Sequence, residues 1–281
     1  MFRAAHYHKV TLSLPMPWIR RRSLPSEDRH AARLREVYHA MRSSTRYGQS
    51  LDLGESAKWA DVPSIDLLEF LCHTDRYTDA GARSAKREEF VYPAGRAPRT
   101  AVVGRDVSQT WRVRTFESLR DEKLWSFKPH AIAAPVDSLR CYAQDAGAAP
   151  LRNAVIAFSD ILQGPLSFED SDRLWAAYQV PVFEQFLGLD GELLAWECEI
   201  HHGLHVREEA ALFETLIDER LMISFLANPR LPLLRLETGL AGRIVKDPCP
   251  CGVNSPRIVD LHRRPIKRRI AAHEFAVAAV G

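Results

Sequence analysis

Residues 183–206 read FEQFLGLDGELLAWECEIHHGLHV, and the reading of the whole chain turns on them. The stretch is apolar at both ends and broken by Gly188 and Gly191. It gathers Glu192, Glu197, Cys198, Glu199, His201, His202 and His205 into one short span. Downstream, Pro248 to Gly252 reads PCPCG and adds the thiols of Cys249 and Cys251. Zinc takes four nitrogen or sulfur ligands in a tetrahedron, and structural sites join two short ligand pairs that are far apart in sequence. Cys198 with His205, and Cys249 with Cys251, make two such pairs. A structural Zn2+ on these four side chains is therefore expected, with His201 and His202 as rival imidazoles. The bland alternative is a pair of buried free thiols beside surface histidines. Cys72 and Cys141 fall on predicted helices and are expected in the core.

Working outward, residues 98–206 read as an α/β unit. Strands are predicted over 100–104, 111–116, 128–135, 153–159 and 180–186. Ala154 to Phe158 is unbroken apolar sequence, as in a strand buried on both faces. A helix is predicted over 138–148. Ser167 followed by Asp170 is a capping box that opens another helix through Tyr178. Strands alternating with helices imply a mixed or partly parallel sheet with flanking helices. Residues 207–281 carry strand-like segments at 211–218, 221–226 and 231–236, which suggests a small β-subdomain holding the zinc knuckle; 263–275 is basic and then mildly helical. Residues 1–97 read as mostly helical. Thr11 to Leu14 could form a short strand. Ser26 caps a helix running to Met41. Ser64 opens a second helix with Ile65, Leu67, Leu68, Phe70 and Leu71 as its apolar face. Residues 43–62 and 74–97 read as polar connections.

The bulk numbers bound the function classes. The chain has 281 residues, 46% hydrophobic and 26% charged, the balance of a folded globular chain rather than a disordered one. Net charge is +2, so no global field favours nucleic acid or a membrane as partner. No stretch reaches the roughly 18 apolar residues of a membrane span. Five cysteines without a disulfide framework point to a reducing, cytoplasmic setting. Residues 1–26 contain no acidic residue, a loose fit to a transit peptide, although a plain N-terminal extension is preferred.

Several blocks, in order, carry a resemblance. FLGLDG (Phe186 to Gly191), AWEC (Ala195 to Cys198), GLH (Gly203 to His205), PLLRLETGL (Pro232 to Leu240) and CPCGVNSPRI (Cys249 to Ile258) resemble the large domain of phenylacetate-CoA ligase-like adenylate-forming enzymes. The resemblance spans roughly residues 125–265. It implies activation of a carboxylic acid with ATP and Mg2+ through an acyl-adenylate, and transfer of the acyl group to a thiol. It places Asp190 or Gly191, depending on the alignment, at the metal-holding carboxylate, with Asp190 the one able to hold a cation, Arg235 by the phosphates and Arg264 at the hinge. Phe186 and Gly188 fall at the nucleotide-side turn. Ser159 and Asp160 fall at the strand end that faces the adenine.

The departures are as informative. No Gly/Ser/Thr-rich phosphate loop is visible, and Arg42-Ser43-Ser44-Thr45 is the nearest fragment. Leu240 stands where the family grips the ribose with an aspartate. The chain ends at Gly281, which leaves no room for the family's mobile C-terminal domain and its lysine. The expectation is a shortened, catalytically impaired relative. It would keep the fold and either an acyl or nucleotide pocket or a partner-binding role, the partner being a second subunit or a second copy. One alternative is a working AMP-forming acid–thiol ligase built on Asp190 and Arg235. Another is a zinc-stabilised scaffold. Gly188 to Gly191 also reads as a plain hairpin turn, Glu192, Glu197 and Glu199 as a half-buried strand, and His130 as structural.

Overall fold

The computed structural model describes residues 27–54, 57–82, 88–146 and 151–264. The expected strand at 11–14 lies outside them, as does the expected helix at 263–275 from residue 265 onward.

Helix α1 (Glu27–Ser44) places Leu34, Val37, Tyr38 and Met41 on one buried stripe. Thr45 then caps α2 (Arg46–Ser50) by accepting from Gly48 N at 2.9 Å. The fragment 42–45 is thus a helix end and a cap, not a phosphate loop. Strand β1 (Ile65–Asp66) follows, then α3 (Leu67–Cys72) and α4 (Thr74–Tyr77). Here the structure corrects the sequence reading. Asp66, not Ser64, caps α3, because Ile65 is drawn into parallel pairing with Leu236. Only Phe70 of α3 is buried, while Leu68 and Leu71 are 69% and 45% exposed. Cys72, on α3, is exposed rather than in the core.

The α/β unit runs β2 (Thr100–Val103), β3 (Val113–Phe116), α5 (Glu122–Ser126), β4 (Ala131–Pro135), α6 (Val136–Ala146), β5 (Ala154–Asp160), α7 (Phe168–Tyr178) and β6 (Val182–Leu187). These strands are all parallel, in the order β3-β2-β4-β5-β6. Alternation along each strand divides the core. Ala101, Val103, Ile132, Ala134, Val155 and Ala157 pack with Leu124, Leu139 and Leu174 of α5, α6 and α7. Val102, Ala131, Ala133, Ile156 and Phe158 face the other way, under Phe90, Val91 and Tyr92. Cys141 of α6 is exposed, a second correction. His130 immediately precedes β4, and its ring nitrogen lies 3.2 Å from Arg99 Nη2.

Beyond β6 the pairing turns antiparallel through β7 (Leu193–Glu197), β8 (Leu204–Val206), β9 (Ala211–Thr215), β10 (Arg220–Phe225), β11 (Leu236–Val245) and β12 (Arg257–Arg263). One 12-stranded sheet results, continuing as β6-β7-β8-β12-β11-β10-β9, with β1 paired to β11 off that path. Residues 231–235 are not a strand as expected. Pro232 lacks the ladder N–H and Arg235 sits at φ 56°, so β11 begins only at Leu236. Helices α1 to α4 cover the antiparallel part through Met41, Phe70, Tyr77, Phe213, Ile223 and Leu236.

Candidate metal centre and nucleotide-side residues

Two turns converge at the β7–β8 and β11–β12 connections. Cys198 follows β7, and its carbonyl accepts from His201 N at 3.0 Å. Gly203, at φ 92°, passes so close to β12 that a Cβ would lie 2.5 Å from Ile258 O, so only glycine fits. His205 lies on β8. In the second turn Gly252 N donates to Cys249 O at 2.9 Å, and Val253 N approaches Cys251 Sγ at 3.5 Å.

The ligand atoms of Cys198, His205, Cys249 and Cys251 all lie within 4.8 Å of one another. Cys198 Sγ is 3.8 Å from Cys249 Sγ, and Cys251 Sγ is 3.3 Å from His205 Nε2. Two thiolates about 2.3 Å from a common tetrahedral centre stand about 3.8 Å apart, so the spacing suits a zinc-sized cation. His205 Nδ1 lies 3.2 Å from Ser255 Oγ, which leaves Nε2 for a metal. Burial, with Arg257 nearby, pushes His205 down to about 4, so the imidazole is neutral as a ligand must be. Burial pushes Cys251 up to about 12, so a bound cation would displace protons. Arg257 ties the two turns together by donating to His202 O at 2.6 Å and Asp247 O at 3.2 Å. The rival imidazoles point elsewhere: His201 Nδ1 meets Glu197 Oε1 at 2.8 Å and stacks on Phe183, and His202 is exposed.

The residues that the resemblance assigns to the nucleotide side are placed differently. Asp190 lies on the turn between β6 and β7, where Gly188 N donates to Glu192 O at 2.8 Å and Gly191 N to Gly188 O at 3.1 Å. Its carboxylate accepts from Asn228 Nδ2. Arg235 donates from Nη1 to Ala60 O at 2.6 Å and Val62 O at 2.9 Å, with Nε 3.7 Å from Glu214. Phe186 is fully buried. Ser159 Oγ donates to the buried carboxylate of Glu184, which also accepts from Leu166 N at 2.8 Å. Asp160 accepts from Gln163 N at 2.7 Å. Arg264 donates to Asp218 at 2.9 Å and holds that carboxyl down at about 2, together with Arg220. Leu240 is buried, so no hydroxyl-gripping group stands at that point of β11.

Two groups escaped the sequence reading. Arg105 has a side chain only 3% exposed and pins the 188–191 turn by donating to Gly191 O at 2.7 Å, with Glu88 at 3.2 Å. Glu184 is buried, and burial pushes its carboxyl up to about 7. Neither belongs to a motif, since a lone Arg after Gly104 and an alternating Glu in a strand carry no periodic signal.

No protein-family model matches the sequence, and no curated protein matches it. Solved structures do match in fold. A 2-hydroxyisobutyryl-CoA ligase in complex with 2-HIB-AMP and CoA, in the thioesterification state, gives a TM-score of 0.62 at 14% identity, over 86% of this chain and 69% of that one. An open conformation of 2-hydroxyisobutyryl-CoA ligase with 2-HIB-AMP and CoA gives 0.60 at 13% identity, over 83% and 68%. The architecture is that of a partial adenylate-forming-enzyme large domain. At this identity the likeness establishes the fold and leaves the activity open.

Proposed function

We propose that this chain is a zinc-stapled, catalytically impaired relative of adenylate-forming acyl-CoA ligases, which has kept the fold as a platform for binding acyl or carboxylate ligands. The observation that carries the reading is the engagement of Arg235. Arg235 Nη1 donates to the carbonyl oxygens of Ala60 and Val62 and Nε faces Glu214 at 3.7 Å, which favours a structural role for this guanidinium over a phosphate-binding one. It acts as a tie between the 59–62 turn and β11. Asp190 is likewise paired with Asn228, and Leu240 replaces a ribose-gripping carboxylate. Losing one such transition-state contact typically removes several kcal/mol of stabilisation, and these losses fall on one reaction. The donor set of three cysteines and one neutral histidine suits a closed structural zinc site rather than a catalytic one with an open position.

A second reading, an active AMP-forming acid–thiol ligase using ATP and Mg2+, draws support from the fold match to a ligase in complex with an acyl-adenylate and CoA. Carboxylate-dependent ATP–pyrophosphate exchange, run with metal analysis of the same sample, separates the two. The impaired relative gives about one zinc per chain and no exchange over a panel of aliphatic and aromatic acids. Exchange above the acid-free blank would establish the ligase.

A further inference from the structure

A cleft of about 1030 Å³ opens between α1 and the antiparallel end of the sheet. Its floor is apolar: Leu34, Tyr38, Trp59, Leu212, Phe213 and Ile244 line it. Its cationic side chains are Arg35, Arg42, Lys58, Arg243 and Lys246, against the single carboxylate of Glu208. Three of these cations are engaged: Arg35 Nε donates to Ala31 O at 3.3 Å, Arg42 donates to Leu53 O at 3.1 Å, and Arg243 pairs with Asp260. Arg35, Lys58 and Lys246 are exposed, and no ion pair among the described residues involves Arg35 or Lys58. Burial raises Glu208 above the ordinary carboxylate value, and Lys246 faces it.

From this juxtaposition we propose that the cleft between α1, β9 and β11 binds an amphipathic organic anion, an apolar chain bearing one carboxylate or phosphate head. The volume suits a ligand larger than a short acid, since ordinary small-molecule sites span about 300–1,000 Å³. The apolar floor removes the chain from water at about 25 cal/mol per Å². The basic rim supplies the charge complement that an uncharged lipid would not use. Ser159, Asp160, Phe186, Gly188, Asp190, Arg235 and Arg264 do not line the cleft. Probe binding here and pyrophosphate exchange there therefore succeed or fail independently.

The test is a fluorescence titration of the full chain with 11-(dansylamino)undecanoic acid. Saturable binding with a blue shift is expected, displaced by dodecanoate or dodecyl phosphate but not by dodecyltrimethylammonium. Comparing the two anionic competitors tells which head is preferred. The double charge reversal R35E/K246E changes two exposed residues and is expected to weaken binding at least about tenfold with an unchanged thermal midpoint. The proposal is overturned if the probe does not bind, if the double variant binds as tightly as the parent, or if the alkylammonium displaces the probe as well as the carboxylate does.

Discussion

At the residue scale, Arg235, which the resemblance puts beside the phosphates, is tied to backbone, whereas Asp190 is exposed and meets only Asn228. Arg235 bridges two carbonyls, and charge-assisted hydrogen bonds of this kind are worth about 1.5–3 kcal/mol. R235A is expected to lower the urea-denaturation free energy by about 2–3 kcal/mol; an unchanged midpoint would mean that the arginine is free for a ligand. Glu184 gives a pH signature. Its carboxyl is lifted from 4.5 to about 7, first by burial, so the folded chain binds that proton more tightly than the unfolded one. Its stabilising contribution is complete below pH 4.5 and is lost as pH rises through about 7. Stability is thus expected to fall between pH 5 and 8 by on the order of 3 kcal/mol from this group, and E184Q should flatten that slope. Glu192, also lifted to about 7 by burial, leaves a residual slope of the same sign. A denaturation midpoint for E184Q that follows pH as steeply as the parent would contradict this. The convergence of Cys198, His205, Cys249 and Cys251 was legible because ligand chemistry is written in residue type and spacing. The roles of Arg235 and Glu184 were not, because they depend on which distant backbone each side chain meets.

At the element scale, the two cysteine-bearing turns join β7–β8 to β11–β12, which are adjacent in the sheet through the β8–β12 pair. A cation held between them closes a loop across the sequence separation of 51 between Cys198 and Cys249. C249S is expected to reduce zinc to near zero and to cost at least about 3 kcal/mol, whereas C72S, at an exposed position, should change neither. Retained stoichiometric zinc in C249S, measured by plasma emission, would refute the four-ligand centre. Helix α7 was legible from its capping box, and Ser167 Oγ does accept from Asp170 N at 3.0 Å. S167A should therefore lose about 1 kcal/mol in thermal denaturation, and no loss would show that the cap is dispensable. Strand β5 was legible from its apolar run. Helix α3 was misread because an apolar cluster does not tell which of its members a distant strand will claim. Ile65 went to β1, and Leu68 and Leu71 were left facing water. The strand expected at 231–236 failed on Pro232 and the positive φ of Arg235, and the long β11 that replaces it begins where those constraints end.

At the scale of the whole molecule, a parallel five-strand half and an antiparallel half share one sheet, and the zinc-sized cluster sits in the antiparallel half beyond β7. The mixed α/β class followed from the alternation of strand and helix patterns. The continuity of the sheet across residue 206 did not, because strand pairing between β8 and β12 is a long-range event with no local signature. On the reading proposed above, the ligase-like fold persists here with Arg235, the arginine that resemblance puts beside the phosphates, turned to structural use. Isothermal titration of Mg·ATP into the zinc-loaded chain tests this most directly. No saturable heat is expected up to millimolar nucleotide. One-to-one binding in the micromolar range that is abolished in R235A would contradict it.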